Sequence, residues 1–328
     1  VIYKFCSHAL LFTGQPRHWD ICSESQLKTF AIEDYDVDCF IHSWTRSHVY
    51  SRPDNPNKGL TIYQLRDSDE KNYKTNELYD KLSEVYQPKS MIVEDYFNEK
   101  IIEARHLLNK AANERIQTHH VLRSIQGMGT KFINNSYYFT QHRLTQFYSM
   151  QEVCRLKSEF ENKNGFKYDI VVRTRQDLLM QPELDMKDSL EKIVKDGYMG
   201  TCCVYKDFNK VTREGGLMGD IVFASSSQDM DSLCLNLFED LVDIFFKIAK
   251  GDIEPEHLPK FERWTERQMY YWGECLLYQI ATSKNIKLKY LRNVKFVIYR
   301  EYMRKLPQEY NVLRNTKDHH NKYKHLFE

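Results

Sequence analysis

Arg173, Arg175 and Asp177 stand at alternate positions directly after the apolar run Ile170-Val171-Val172. Side chains of an extended chain repeat every second residue, so these three would point one way. The apolar run reads as a short strand buried on both faces, as in a mainly parallel sheet. The polar tract before it, Asn162-Lys163-Asn164-Gly165, reads as the stop of a helix. Two guanidiniums and one carboxylate would then share the carboxyl end of a central strand, which is where ligands bind in open α/β sheets. The charges suit an anionic ligand, with the carboxylate free for a divalent metal. An Arg–Asp salt bridge closing the strand is the equal alternative.

Three other runs end in the same polar way. Val1 to Cys6, extended through Ala9 to Phe12, reads as a strand finishing in the turn Thr13-Gly14-Gln15-Pro16-Arg17, with a fixed positive charge at Arg17. Asp36 to Ile41 reads as a strand followed at once by His42-Ser43-Trp44, and Pro88 to Val93 as one ending in Glu94-Asp95. Parallel strands would gather all these ends at one edge. Arg17 could meet a diphosphate there, and Trp44 could stack on a base or sugar ring; His42 and Trp44 are otherwise packing residues. Asp220 opens a strand-like run, Asp220 to Ala224, behind a Gly-rich loop. Glu274 lies in a helical row with Tyr270, Leu277 and Ala281, where a carboxylate needs a partner: a sugar hydroxyl, or an arginine such as Arg267.

The elements that must position these groups alternate. Helical patterns cover residues around Ser25 to Tyr35, Tyr79 to Tyr86, Phe97 to about Ile125, Ser136 to Glu161 and Thr265 to Ser283. A capping box at Ser226-Ser227-Gln228-Asp229 opens another helix, carrying Met230 through Ile248. Strand patterns add Ile62 to Leu65, Tyr198 to Tyr205 and part of Ile286 to Ile298. Strand–helix alternation implies an α/β chain with a mainly parallel central sheet flanked by helices, in one domain.

With 328 residues, 41% apolar and 28% charged, the chain falls in the globular range. A net charge of +1 gives no ground for nucleic acid or an acidic membrane. The eight cysteines include no C-x-x-C spacing, so no structural zinc site is indicated and a reducing compartment is the simpler reading. There is no membrane-span run, secretory signal, G-x-G-x-x-G or P-loop. The first residue, Val1, leaves a processed start and a removed anchor open.

Thr13 to Arg17, Val37 to Trp44, Tyr168 to Leu178 and Gly219 to Ala224, in that order, resemble GT-A-type glycosyltransferases of large DNA viruses and bacterial surface-polysaccharide pathways. Gly273-Glu274-Cys275-Leu276-Leu277 is similar to a helical Glu segment late in such enzymes. The resemblance implies one GT-A-like, Rossmann-like domain over 1–328, with a nucleotide-binding half of about 1–180 and an acceptor half of about 181–328. It implies transfer of a hexosyl or pentosyl group from a nucleoside-diphosphate sugar to a hydroxyl of a glycan acceptor. Gly14, Arg17, His42, Trp44, Arg173, Arg175 and Asp177 would hold the donor. Arg175-Gln176-Asp177 falls where such enzymes carry Asp-x-Asp, so Asp177 matches the last carboxylate and Arg175 departs from the first. Either Asp177 with the phosphates and water holds Mg or Mn, or Arg175 replaces the metal; both stabilise the departing diphosphate. Asp220 would take the proton of the attacking hydroxyl, or else cap a turn, and Glu274 would be the second catalytic carboxylate. The implied partners are donor and acceptor, without nucleic acid or a transmembrane segment, in the cytoplasm (a host's, if viral). Two alternatives remain: a binding domain of the same fold without catalysis, which Arg175 favours, and another α/β nucleotide-dependent transferase such as a methyltransferase.

Overall fold

The even and odd side chains of strand β1 (Ser7–Gly14) enter different cores: Ala9 and Leu11 one, Leu10 and Phe12 the other, all fully buried. Such two-sided burial is what an inner strand of a parallel sheet requires. The computed structural model describes residues 7–30, 36–47, 71–96, 98–116, 130–180, 187–202, 218–250, 252, 273–291 and 296–298. Among these, β1 lies between β2 (Asp36–Trp44) and β6 (Ile170–Arg175) and runs parallel to both; β5 (Ser90–Glu94) continues outward from β2, also parallel. Beyond β6 come β9 (Phe223–Ser225), β8 (Met199–Thr201) and β10 (Leu288–Tyr290), giving seven strands in the order β10-β8-β9-β6-β1-β2-β5. Only β9 runs against its neighbours. Two small antiparallel pairs stand apart: β3 (Arg46–Ser47) with β4 (Lys71–Asn72), and β7 (Leu178–Met180) with β11 (Phe296–Ile298). The α/β class with a mainly parallel sheet is the one that the alternation of patterns implies.

Helices cover both faces. On one pack α3 (Glu99–Ile116), α4 (Thr130–Asn164), α6 (Ser227–Cys234), α7 (Leu237–Lys250) and α8 (Gly273–Ser283), through residues such as Ile101, Phe147, Met230, Leu241 and Leu277. On the other pack α1 (Trp19–Phe30), α2 (Thr75–Tyr86) and α5 (Lys187–Lys195), through Phe30, Leu78, Leu82, Leu190 and Ile193. Each such buried side chain contributes roughly 1.5–3 kcal/mol relative to exposure. No helix among the described residues is long and apolar enough to cross a membrane.

Local chemistry sets the ends that matter. Gly165, at φ +71°, stops α4, and its N–H and that of Phe166 reach the Glu161 carbonyl at 2.8 and 3.2 Å. Ser226 caps α6 by accepting the Asp229 N–H, as the capping box requires. Below the start of β6, buried Lys157 contacts Glu161 Oε2 at 3.0 Å and Asp231 Oδ1 at 2.7 Å. Glu161 Oε1 accepts the Tyr168 N–H at 3.0 Å, so this cluster joins β6 to α4 and α6.

Several boundaries differ from the patterns. The helix expected over Met230 to Ile248 is two helices, interrupted at Leu235-Asn236. The strand expected from Asp220 begins only at Phe223, because the Asp220 and Ile221 carbonyls turn to the Arg173 guanidinium. The strand from Tyr198 is confined to Met199–Thr201 among the described residues. Ile62 to Leu65 and Arg267 lie outside the described residues.

Candidate functional site

Strand order reverses between β1 and β6: β1 is followed outward by β2 and β5, whereas β6 starts the other half. Ligands of open α/β sheets bind outside the carboxyl ends of the strands at such a switch point. Thr13, the penultimate residue of β1, stands in register with Arg175 there.

Arg175 and Asp177 form a two-point ion pair, Nε to Oδ1 at 2.8 Å and Nη2 to Oδ2 at 2.7 Å. The tight turn at Gln176-Asp177 makes this possible. Gln26 of α1 braces it by donating to the carbonyls of Arg175, Gln176 and Leu178 at 2.9, 3.2 and 2.8 Å. The Asp177 side chain is only 3% exposed, whereas that of Arg175 is 24% exposed. Nη1 of Arg175 has no hydrogen-bond partner among the described residues. Burial opposes the charge on Arg175, but Asp177 holds its affinity for the proton above the usual arginine value.

Arg173 is enclosed, at 2% exposure. Its Nε donates to Thr13 Oγ1 at 2.9 Å, its Nη1 donates to the Asp220 carbonyl, and it lies over the Phe223 ring. Burial pushes it down to about 10. Its guanidinium is bonded to protein groups and ties β6 to the segment bearing Asp220.

That segment is held from several sides. The Met218 N–H reaches the Glu274 carbonyl at 3.0 Å, and Thr201 Oγ1 donates to the Gly219 carbonyl at 3.1 Å. The Asp220 carboxylate then meets α4: Oδ2 accepts from Arg143 Nη1 at 3.1 Å and from Gln146 Nε2 at 2.7 Å. Arg143 Nη2 lies 3.8 Å from Glu274 Oε2, in the first turn of α8. The two expected catalytic carboxylates are thus brought to one guanidinium. Burial works against charge on Asp220, but Arg143, the Gln146 amide, Arg175 and Arg173 hold it below the usual carboxylate range. Burial and the Asp220 charge raise Glu274 to about 7, against Arg143, its own backbone N–H and Arg175.

His42 and Trp44 lie beneath the rim, both buried. His42 Nδ1 is 2.8 Å from Ser149 Oγ and Nε2 is 2.9 Å from Glu94 Oε1. Trp44 packs on His42, Tyr96 and Tyr148. Neither ring offers an open face for a base or sugar, so the packing alternative describes their place. His42 reaches Gly14 through Ser149, whose Oγ accepts the Gly14 N–H at 3.0 Å, and the Gly14 φ of +105° starts the turn to half-buried Arg17.

A divalent cation fits this arrangement poorly. Both Asp177 oxygens are taken by Arg175, and no group of three or more His, Cys, Asp or Glu suited to a metal occurs among the described residues. Arg143, Gln146 and Ser149 are the functional candidates that motif reading missed. Their signal was spacing: Arg143 and Gln146, at i and i+3, are neighbours on one helix face, as are Gln146 and Ser149.

No family model matches the chain, and no curated protein is similar to it in sequence. Among solved structures the chain is similar to the apo form of mouse xyloside xylosyltransferase 1, at 9% identity over 87% of this chain and 84% of that one, with a TM-score of 0.35.

Proposed function

We propose that this protein transfers a glycosyl group from a nucleoside-diphosphate sugar to a hydroxyl of a glycan. One observation carries the reading: at the switch point a fixed guanidinium, Arg175, whose Nη1 is unpaired among the described residues, shares the rim with the paired carboxylates Asp220 and Glu274. The cation suits the diphosphate, where negative charge grows as the sugar leaves. The carboxylates suit the hydroxyls of an acceptor and the proton that one of them must lose. The Gly14 to Arg17 turn lies at the adjacent strand end and adds a second cation, Arg17. In this reading Arg175 is the counter-charge that a metal supplies where two carboxylates are present. No step is assigned to Mn or Mg.

Calorimetric titration with UDP, GDP and dTDP sugars tests the proposal, and turnover with a glycan panel extends it. Binding of one nucleoside diphosphate at micromolar to millimolar affinity is expected; no binding by any of them overturns it. A second reading, a glycan-binding domain without catalysis, is favoured by the closed Arg175–Asp177 pair. Slow hydrolysis of the bound donor separates a live enzyme from that domain.

A further inference from the structure

We infer that Glu274, not Asp220, takes the proton of the acceptor hydroxyl, and that Arg143 and Asp220 set its charge from opposite sides. The chemistry rests on the glycosyl-transfer reading; the division of labour rests on geometry. Asp220 Oδ2 is held by two donors, Arg143 and Gln146, and is the fixed anion of the pair. Glu274 Oε2 is buried and has no hydrogen bond among the described residues, where Arg143 Nη2 stops at 3.8 Å. An ionised oxygen in that position lacks the donors that stabilise its neighbour. Among the described residues, the charged groups acting on Glu274 are Arg143 from α4, Asp220 from the segment before β9, and Arg175 from β6. Their sum, with burial, leaves Glu274 near 7 while Asp220 stays ionised, which is the split that assigns acid–base work to one carboxylate of two.

The step balances as follows. The acceptor oxygen forms its bond to the anomeric carbon and its proton passes to the Glu274 carboxylate. The bond from that carbon to the diphosphate oxygen breaks, and its electron pair leaves with the nucleoside diphosphate, whose charge meets Arg175. Glu274 then gives the proton to water. Arg143 touches no reacting atom in this step. It is a positioning residue, whose attraction keeps Glu274 from being protonated throughout the neutral range.

The test is an NMR titration of the full chain labelled with 13C at the glutamate carboxyl carbon, with Glu274→Gln to assign the signal. The expected midpoint is close to neutral, well above the ordinary carboxylate value of about 4.3. Asp220→Asn removes the neighbouring anion and should lower the midpoint; Arg143→Gln removes the cation and should raise it; Arg143→Lys should hold it. A merely structural role for either residue predicts no opposed shifts. A wild-type midpoint in the ordinary range, or shifts of one sign in both variants, overturns the inference. If Arg143→Gln does not fold, Asp220→Asn and Arg143→Lys still decide. The titration needs no donor, so its outcome is independent of whether nucleotide sugars bind. Where turnover is measurable, Glu274→Gln should lower kcat by about 10²–10⁴-fold with donor affinity kept. Retained turnover in that variant removes Glu274 from the step.

Discussion

Arg175 reaches across a two-residue turn to hold both carboxylate oxygens of Asp177, at 2.8 and 2.7 Å. The pair pins the guanidinium plane and leaves Nη1 without a hydrogen-bond partner among the described residues. A pinned guanidinium is a counter-charge that needs no assembly when an anion arrives. Nucleoside diphosphate binding is therefore expected to be the same in EDTA and in Mn. Arg175→Gln should weaken it by about 10- to 100-fold, the worth of a charge-assisted hydrogen bond near 1.5–3 kcal/mol. Calorimetry of UDP, GDP and dTDP decides. Affinity that appears only with Mn would mean that the Arg175–Asp177 pair opens to admit a cation.

Asp177 itself is expected to act through Arg175. Asp177→Ala frees the guanidinium to sample several rotamers, at a cost of roughly 0.5–1.5 kcal/mol on ordering. A loss of about three- to tenfold in nucleotide affinity should follow, with turnover reduced in step. Complete loss of turnover with affinity intact would assign Asp177 a direct chemical role instead.

The strand ends were legible because they obey local rules. Apolar runs such as Ala9 to Phe12 and Ile170 to Val172, each closed by polar residues, follow from two-sided burial of parallel strands. Alternation with helices then brings their ends to one rim. The helix stop at Gly165 and the cap at Ser226 were legible for the same reason: each is solved within a few residues. What was hidden depends on distance in sequence. Three residues of β9 carry no signal of direction, and β7 exists only because β11 pairs with it. The partner of Glu274 is Arg143, 131 positions earlier, on a helix whose polar face has no motif. The closed Arg175–Asp177 pair was one of two readings of the same residues, and only the turn held by Gln26 selects it.

Gly219 is a position where backbone, not side chain, sets the site. A Cβ there would lie 1.8 Å from the Cys202 carbonyl oxygen and 2.7 Å from its carbon. Neither can retreat without moving β8, so Gly219→Ala should displace the segment that carries Asp220. A loss of about 1–3 kcal/mol in denaturant unfolding is expected, the range of overpacked interiors. The Glu274 titration should shift toward its ordinary value as Asp220 moves away. An alanine variant of unchanged stability would show that this segment and the end of β8 do not pack as described.

Glu161 should make the fold sensitive to acid. Burial opposes its charge, but Lys167, Ser227, the Tyr168 N–H and Lys157 hold it below the usual carboxylate value. A carboxylate depressed in the folded state contributes stability above its unfolded value of about 4.3 and loses it as pH falls through the lower folded value. Stability should therefore drop on acidification below about pH 4. Glu161→Gln leaves Lys157 buried with Asp231 as its remaining anion, which should cost about 3 kcal/mol near neutrality. Because the titrating group is gone, the variant should then lose less on acidification than the wild type. Denaturant midpoints across pH measure both effects, and parallel curves for the two proteins would exclude Glu161 as the acid-sensitive group.

Glu274 carries the opposite linkage. Its folded form holds the proton to about 7, against an ordinary value of about 4.3. Below the ordinary value both states are protonated and the group has no effect. As pH rises the unfolded chain ionises first, so the fold is progressively disfavoured until about 7, where the folded form ionises too and the loss levels off. At about 1.4 kcal/mol per unit, the accumulated loss is on the order of 3 kcal/mol at most. Glu274→Gln presents a neutral group of the same shape and should remove it. The variant should match the wild type in Tm at about pH 4 and exceed it by several degrees at about pH 8. A difference in Tm that does not change with pH would place Glu274 in the ordinary carboxylate range and overturn its assignment as the proton acceptor.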